Sequence, residues 1–297
     1  MKIMVTGGSG FLGSHVADAL TKANHDVVIF DVCPSQYYQP MQTMVTGDIT
    51  DPAQVAAALD GCEVVYHMAA LADINEAMNK PTETVRVNIM GTLNVLEAAR
   101  AAEVSRIVLA SSIYVYSSQG SFYRTSKQAS ELLTQDYNER FGLAYTILRY
   151  GSLYGSRADT SNAINRLLRQ ALNERRLDYP GTGDEVREYI HALDAAEASV
   201  DILAPEFANE IIHLMGRERI TSRAMLEMIR EIMGGDVEIK TGDGTMAGHY
   251  TQTPYHYMPR LGRKLTRNTY VDLGLGLMDC LQHLDPALRD QSTPGND

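Results

Sequence analysis

The stretch "VTGGSGFLGSHVADAL", residues 5–20, decides the fold. It closes the apolar run "KIMVTG" and opens a segment with helical apolar spacing, so a first strand turns into a first helix across a cluster of glycines. Gly8, Gly10 and Gly13 satisfy G-x-G-x-x-G, while Gly7, Gly10 and Gly13 satisfy the overlapping T-G-x-x-G-x-x-G. Glycine is needed where a backbone turns tightly, approaches a pyrophosphate closely and lets helix pack on strand. A glycine triplet by itself also serves as an ordinary loop. The second strand, "DVVIFD", adds the missing element, because it ends at Asp31 about twenty residues downstream. An acid there accepts hydrogen bonds from an adenosine ribose and repels a 2′-phosphate, which points to NAD over NADP.

Working outward, β-rich runs alternate with helical patterns through "MVTGD", "EVVYHMAA", "RIVLASS" and "AYTILRYGSLYG". This alternation predicts a Rossmann-type α/β fold, a doubly wound parallel sheet covered by helices on both faces. The helix "SKQASELLTQDYNERFG" is expected to stop at Gly142. After about residue 155 the pattern becomes mixed, with helices in "NAINRLLRQALNERR" and "SRAMLEMIREIMGG" and strands in "EIIHLMG" and "DVEIKTG". The division expected is a NAD-binding domain over 1–160 and a smaller C-terminal α+β substrate lobe over 161–297, with some segments returning to the first domain.

Composition narrows the function classes. With 44% hydrophobic and 21% charged residues in 297, the chain is an ordinary globular one, and no apolar run approaches the roughly 20 residues of a membrane span. The N-terminus reaches its glycine turn too soon for a secretion signal, so a cytoplasmic protein is expected. Cys33, Cys62 and Cys280 lie far apart without C-x-x-C spacing, against a zinc site or a disulfide framework. A formal charge of −11 disfavours nucleic acid as a partner. Arg260, Arg263, Lys264 and Arg267 form a local basic patch that suits either a phosphate or plain solvation.

Chemistry concentrates in "SFYRTSKQASELL", residues 121–133. Tyr123 and Lys127, four apart, are stacked neighbours on a helix. A free tyrosine has a pKa of about 10, and positive charge from Lys127 and from an oxidised nicotinamide would favour the phenolate as a base near neutral pH. A solvated helix pair is the plain alternative. The strand "LASSIYVY" just upstream weighs against it, since Ser111 and Ser112 would lie at a carboxyl strand end, where doubly wound sheets bind ligands. In "TGDITD", Asp48 and Ile49 fit an adenine site, and equally a helix N-cap and a core residue.

Taken together, these motifs resemble the extended short-chain dehydrogenase/reductase family, especially nucleotide-sugar 4-epimerases of the UDP-glucose 4-epimerase type. Further blocks that match are "HMAALA", "VNIMGTLNVLEAAR", "SSIYVY", "YRTSKQASE" and "VREYIHALDAAEA". The resemblance implies Ser112, Tyr123 and Lys127 as catalytic residues, with Lys127 also a ligand of the cofactor ribose. It implies NAD contacts at Gly7, Gly10, Phe11, Leu12, Gly13, Asp31, Asp48 and Ile49. Further contacts are implied at Met68, Ala69, Ala70, Leu71, Ala72, Asn88, Ser111, Tyr150 and Gly151. On the substrate side it implies Ser112, Tyr123, Ser152 and Arg187, the last meeting a sugar-nucleotide diphosphate. His67 lies in the strand under the cofactor, where a structural role is expected.

Departures from the family pattern carry information. The 4,6-dehydratases have Asp-Glu after the catalytic threonine, whereas Ile113 and Tyr114 follow Ser112 here, against dehydration. In "RYGSLYG", Ser152 replaces an asparagine that often reaches substrate phosphate, and Gly151 is expected to open room beside the nicotinamide. "HYTQTPYHYMPRLGRKL" lacks the usual wording of the nucleotide-facing region. The function implied is transient oxidation at C4 of a nucleotide sugar and return of hydride to the opposite face. A 4-dehydrogenase with net redox is the alternative, and a non-catalytic dinucleotide sensor would have no need of Ser112, Tyr123 and Lys127 together. The helices "NIMGTLNVLEAAR" and "SKQASELLTQDY" correspond to a homodimer interface in relatives, though their apolar faces also suit packing on the sheet.

Overall fold

The computed structural model describes residues 1–244 and 246–254. Strand and helix alternate first through β1 (Lys2–Thr6), α1 (Phe11–Lys22), β2 (Asp26–Asp31), β3 (Thr43–Thr46), α2 (Pro52–Ala58), β4 (Val64–His67), α3 (Ile74–Asn79) and α4 (Pro81–Thr84). A π-helical segment, Val85–Met90, leads into α5 (Gly91–Ala101), then β5 (Arg106–Ser112), a 3-10 turn over Ile113–Tyr116, α6 (Ser121–Phe141) and β6 (Ala144–Tyr150). The remainder is β7 (Ser152–Tyr154), α7 (Ala163–Glu174), β8 (Arg176–Tyr179), β9 (Val186–His191), α8 (Ala192–Asp201), β10 (Glu210–Leu214), β11 (Arg219–Thr221), α9 (Ser222–Ile232) and β12 (Glu238–Thr241).

Seven parallel strands form the main sheet in the order β10-β6-β5-β4-β1-β2-β3, the Rossmann-type arrangement the sequence predicts. Side chains alternate along each strand, so one residue set covers each face. Ile3, Val5, Val108 and Leu148 pack beneath Val16, Ala17 and Leu20 of α1 and Ala195 and Ala196 of α8. Met4, Phe30, Val65, Ile107 and Ile147 pack on the other face against Val55 of α2 and Val95, Leu96 and Ala99 of α5. Truncation of a fully buried leucine such as Leu20 costs about 2–5 kcal/mol, so each face is a substantial stabiliser. Because α8 and β10 complete this body, the segment after β9 comes back to the sheet.

The segments on either side of these returns, α7 to β9 before them and β11 to β12 after them, build a smaller α+β layer. Leu167 and Ala171 of α7, Leu177 and Tyr179 of β8, and Met225, Leu226 and Ile229 of α9 share its core. Two short sheets, β11-β9-β7 and β12-β8, hold it. The local signals behave as the chemistry demands: Asp51 caps α2 by accepting from the amides of Ala53 and Gln54 ahead of Pro52. Helix α6 stops at Gly142, whose φ of +73° is a left-handed conformation that glycine adopts without strain.

Candidate active site

The strand order reverses between β1 and β4, so the loops after them diverge and leave a crevice at their carboxyl ends. It measures about 650 Å³. Its floor is the glycine turn. Gly7 has φ +68°, and a Cβ there would lie 2.6 Å from the Ala69 amide nitrogen. A Cβ on Gly13 would stand 2.1 Å from Gly7 O, so helix α1 and the turn touch backbone to backbone. Gly7, Gly10 and Gly13 line the crevice, whereas Gly8 is buried with Ile29 in the place its Cβ would occupy. Of the two overlapping motifs, the one through Gly7 faces the crevice. Gly10 caps α1 with no side-chain bond, and the first helical residues, Phe11, Leu12 and Gly13, line the crevice at the positive end of the helix dipole. A pyrophosphate fits this cradle.

At the far end, the half-buried Asp31 terminates β2. Its carboxylate accepts from Ser9 N at 2.9 Å and Cys33 N at 3.3 Å, which aims it at the crevice mouth. Asp48 and Ile49 both line the same end, and the two readings of them divide. Ile49 is also a core residue, 5% exposed, while the α2 cap is Asp51 rather than Asp48. Asp48 instead faces Arg86, 3.9 Å away, whose guanidinium also grips Glu83 at 2.7 Å. Arg86 and Glu83 line the crevice as well, and sequence reasoning missed them. No spacing rule joins them to the glycine turn; α4 and the π-helical segment carry them there.

The middle of the crevice is the loop Met68 to Ala72, all of it lining. Asn88 does not line it. Buried behind the loop, it accepts from Leu71 N at 2.7 Å and donates to Leu71 O at 3.0 Å and Ser126 Oγ at 2.9 Å. Beneath runs a directed chain of hydrogen bonds. Ala69 N donates to Thr6 Oγ1, and because Thr92 spends its proton on Asn88 O, the neutral His67 ring carries its proton on Nε2 and accepts from the Thr6 hydroxyl at Nδ1, 2.8 Å away. His67 Nε2–H then donates to Thr92 Oγ1 at 3.0 Å, and Thr92 donates to Asn88 O. Burial, with the Lys127 charge in support, lowers the His67 pKa to about 3. His67 is thus neutral and tied on both nitrogens, which suits a structural role and leaves no base.

At the other end, Ser112 closes β5, and Tyr123 and Lys127 face it from α6; all three line the crevice. Ser112 faces the Tyr123 hydroxyl and favours its phenolate form. Lys127 Nζ lies 5.9 Å from the Tyr123 ring centroid and donates to Ala110 O at 2.8 Å. Burial lowers the Lys127 pKa to about 8, against the pull of Glu131. Burial also raises the Tyr123 pKa, opposed by Ser112, while Tyr250 pushes it further up. The sequence argument looked to Lys127 together with an oxidised nicotinamide to lower it. Lys127 itself turns a proton to a carbonyl rather than to the phenol, so within the protein burial is the larger influence, and the charge of an oxidised nicotinamide is what would favour the phenolate.

Ser111 lines the crevice through its position, yet its hydroxyl donates to Glu131. Tyr150 and Gly151 line it too, with the Tyr150 hydroxyl bonded to Ser199 Oγ at 2.7 Å. Gly151 opens no room: a Cβ there would meet Glu188 O and Met215 Cγ at 3.1 Å, so packing, rather than space for a ligand, excludes a side chain. Ser152 begins β7 beside the crevice without lining it, and Arg187 stands apart on β9. The Arg187 guanidinium stacks 4.3 Å from the Tyr250 ring and donates to Val186 O at 3.1 Å. Tyr250 in turn lies 4.6 Å from Tyr114, which is edge-on to Tyr123 at 6.3 Å and bonded to His249 Nδ1 at 2.9 Å. This aromatic group links Tyr123 to Arg187. The sequence reading placed the segment that begins at His249 in the nucleotide-facing region without singling out His249 or Tyr250, because only chain folding brings them against Tyr114. The patch at Arg260, Arg263, Lys264 and Arg267, like Cys280, lies outside the described residues.

Among the described residues, no group of acidic, histidine and cysteine side chains is arranged to hold a metal, and no helix is long and apolar enough to cross a membrane.

The profile of the NAD dependent epimerase/dehydratase family matches residues 3–215. A putative UDP-glucose 4-epimerase of Methanocaldococcus jannaschii is 28% identical over 253 residues, covering 78% of this chain and 82% of its own. A UDP-N-acetyl-alpha-D-glucosaminuronate decarboxylase of Bacillus cytotoxicus is also 28% identical, over 78% of this chain and 80% of its own. Among solved structures, the UDP-glucuronic acid 4-epimerase of Bacillus cereus, in complex with UDP-glucuronic acid and NAD, superposes with a TM-score of 0.79. It is 26% identical, and the match covers 88% of this chain and 95% of that one.

Proposed function

Because this chain belongs to the NAD dependent epimerase/dehydratase family, we propose that it is a nucleotide-sugar 4-epimerase. The observation that carries this reading is the neighbourhood of Tyr123. Ser112 at the end of β5 and Tyr123 of α6 line the crevice together, the Tyr114 ring stands edge-on to Tyr123 at 6.3 Å, and the two residues after Ser112 are Ile113 and Tyr114 rather than carboxylates. The position occupied by glutamate in the family's dehydratases is Tyr114, whose hydroxyl is engaged by His249. Dehydration needs a side chain to take a proton from C5, and Tyr114, its pKa driven far up by burial, is no such base. Proton removal from a C4 hydroxyl needs only Tyr123.

Gly7, Gly10, Gly13, Asp31 and the loop Met68–Ala72 would hold NAD, with Lys127 at its ribose. When bound, NAD supplies a reversible acceptor for the C4 hydride. Tyr123, as phenolate, takes the C4 hydroxyl proton while Ser112 donates to the same oxygen and stabilises its developing charge. The 4-keto sugar then presents its other face, and Tyr123 returns the proton. Arg187 would meet the diphosphate after exchanging the Val186 carbonyl for it. No net redox results. The enzyme is read as a cytoplasmic homodimer, for which the exposed Met90, Leu132 and Phe141 on the outer faces of the helical segments 85–101 and 121–141 supply an apolar surface.

The test is incubation with a panel of UDP-, dTDP-, GDP- and CDP-sugars, following the anomeric and H4 signals by NMR. Interconversion of C4 epimers without accumulating NADH is the expected result. Stoichiometric NADH marks a 4-dehydrogenase, and loss of carbon dioxide from a uronic acid marks a decarboxylase. Tyr123→Phe is expected to lower kcat by about 100-fold or more with unchanged circular dichroism; near wild-type turnover would remove Tyr123 from the base role.

A further inference from the structure

Behind Ser112, Tyr123 and Lys127 lies a second group of charged side chains that the proposed reaction leaves unused. Glu131 stands one turn beyond Lys127 on α6. Ser111 of β5 and Arg149 of β6 are register partners, so they share a sheet face and both reach it. Ser111 donates to Glu131 Oε1. Arg149 holds the carboxylate with both arms of its fork, Nε to Oε1 at 2.9 Å and Nη2 to Oε2 at 2.5 Å. Its remaining arm donates to the Tyr116 hydroxyl, which also meets His213 Nε2 at 3.0 Å.

The Glu131 and Arg149 side chains are only 7% and 12% exposed. A buried ion pair is often no more stable than apolar residues of the same volume, so stability alone is a weak reason for this one. Its position gives a better one. Lys127 is 6% exposed and must stay charged with little water around it. The titratable groups around it are Tyr123 one turn earlier, the neutral His67 of β4, and Glu131, with Arg149 matched to Glu131.

We propose that Glu131, clamped by Arg149 and Ser111 one helical turn from Lys127, is a positioning residue whose fixed carboxylate keeps the Lys127 ammonium charged beside the crevice. It rests on Lys127 being a cofactor-side residue of the proposed site. The clamp matters because an unclamped glutamate would move toward solvent, and the field at Lys127 would weaken with distance. The same carboxylate, through Ser111, fixes the strand end from which Ser112 projects.

The experiment is a pH titration of the protein labelled with ε-¹³C-lysine, read by NMR, with the Lys127 signal assigned by its loss in Lys127→Arg. In the wild type the midpoint is expected at about 8. In Glu131→Gln it falls by about one unit or more, leaving Lys127 half neutral or less charged near pH 7. That variant strands Arg149, so the second variant is Glu131→Met with Arg149→Met, which removes the pair without leaving a buried lone charge. Its midpoint falls in the same direction, less far because the Arg149 charge leaves with its partner. If Glu131→Gln does not fold, the double variant decides alone. A folded double variant with the wild-type midpoint overturns the proposal. Neither measurement requires a nucleotide sugar or turnover, so this inference and the epimerase reading fail separately.

Discussion

The chain of hydrogen bonds through His67 makes folding stability depend on pH in a calculable way. The imidazole is buried with its pKa at about 3, against 6.5 in an unfolded chain. Below 6.5 the unfolded state takes up a proton that the folded state refuses, so stability rises with pH between those values. The contribution is fully present above 6.5 and is lost progressively as pH falls toward 3. Each pH unit below 6.5 costs about 1.4 kcal/mol, so a fall from pH 7 to pH 5 removes about 2 kcal/mol through this residue alone. Urea unfolding of the wild type and of His67→Gln at both pH values isolates the term, since every other titrating group is common to the two proteins. His67→Gln is less stable at pH 7, because it breaks the bond from Thr6 or the one to Thr92. The gap between the two proteins should shrink by about 2 kcal/mol at pH 5. A gap that stays constant from pH 7 to pH 5 would refute the neutral, doubly tied imidazole.

Two further outcomes test the cofactor end. Asp31→Asn keeps the shape at the end of β2 but removes the charge, so NAD affinity should drop about 10- to 100-fold and NADP should bind comparatively better, both read by isothermal titration calorimetry. Continued rejection of NADP would show that something other than Asp31 selects the cofactor. Gly13→Ala places a methyl group 2.1 Å from Gly7 O, so it should lower stability by about 1–3 kcal/mol or more and weaken NAD binding. Gly10→Ala, whose added carbon meets only Gly7 O at 3.3 Å, should be milder in thermal unfolding.

Much of the site is local in the chain, which is why it could be read in advance. A tight turn demands Gly7, a backbone-to-backbone approach demands Gly13, and an i, i+4 pair places Tyr123 and Lys127 on one helix face. Each requirement concerns a few neighbouring residues. Asn88 shows where such reading stops. Its residue type suits a ligand contact, but its side chain is spent on both backbone groups of Leu71, and only the packing of the segment 85–90 behind the loop determines that. Gly151 is similar: the atoms that exclude a side chain there belong to Glu188 and Met215.

By itself, then, the sequence determined the doubly wound sheet and the glycine turn, because periodicity and short-range sterics are written residue by residue, and it offered Tyr123 and Lys127 as one helix face beside the serines that end β5. The tertiary structure alone decided their electrostatic state. Burial, a property of the whole fold, drives Lys127 down and Tyr123 up. It also decided which distant side chains meet them: Glu131 held by Arg149 on one side, Tyr114 and Tyr250 on the other. Those partners come from strands and segments far apart in the chain, joined by packing that no local pattern encodes.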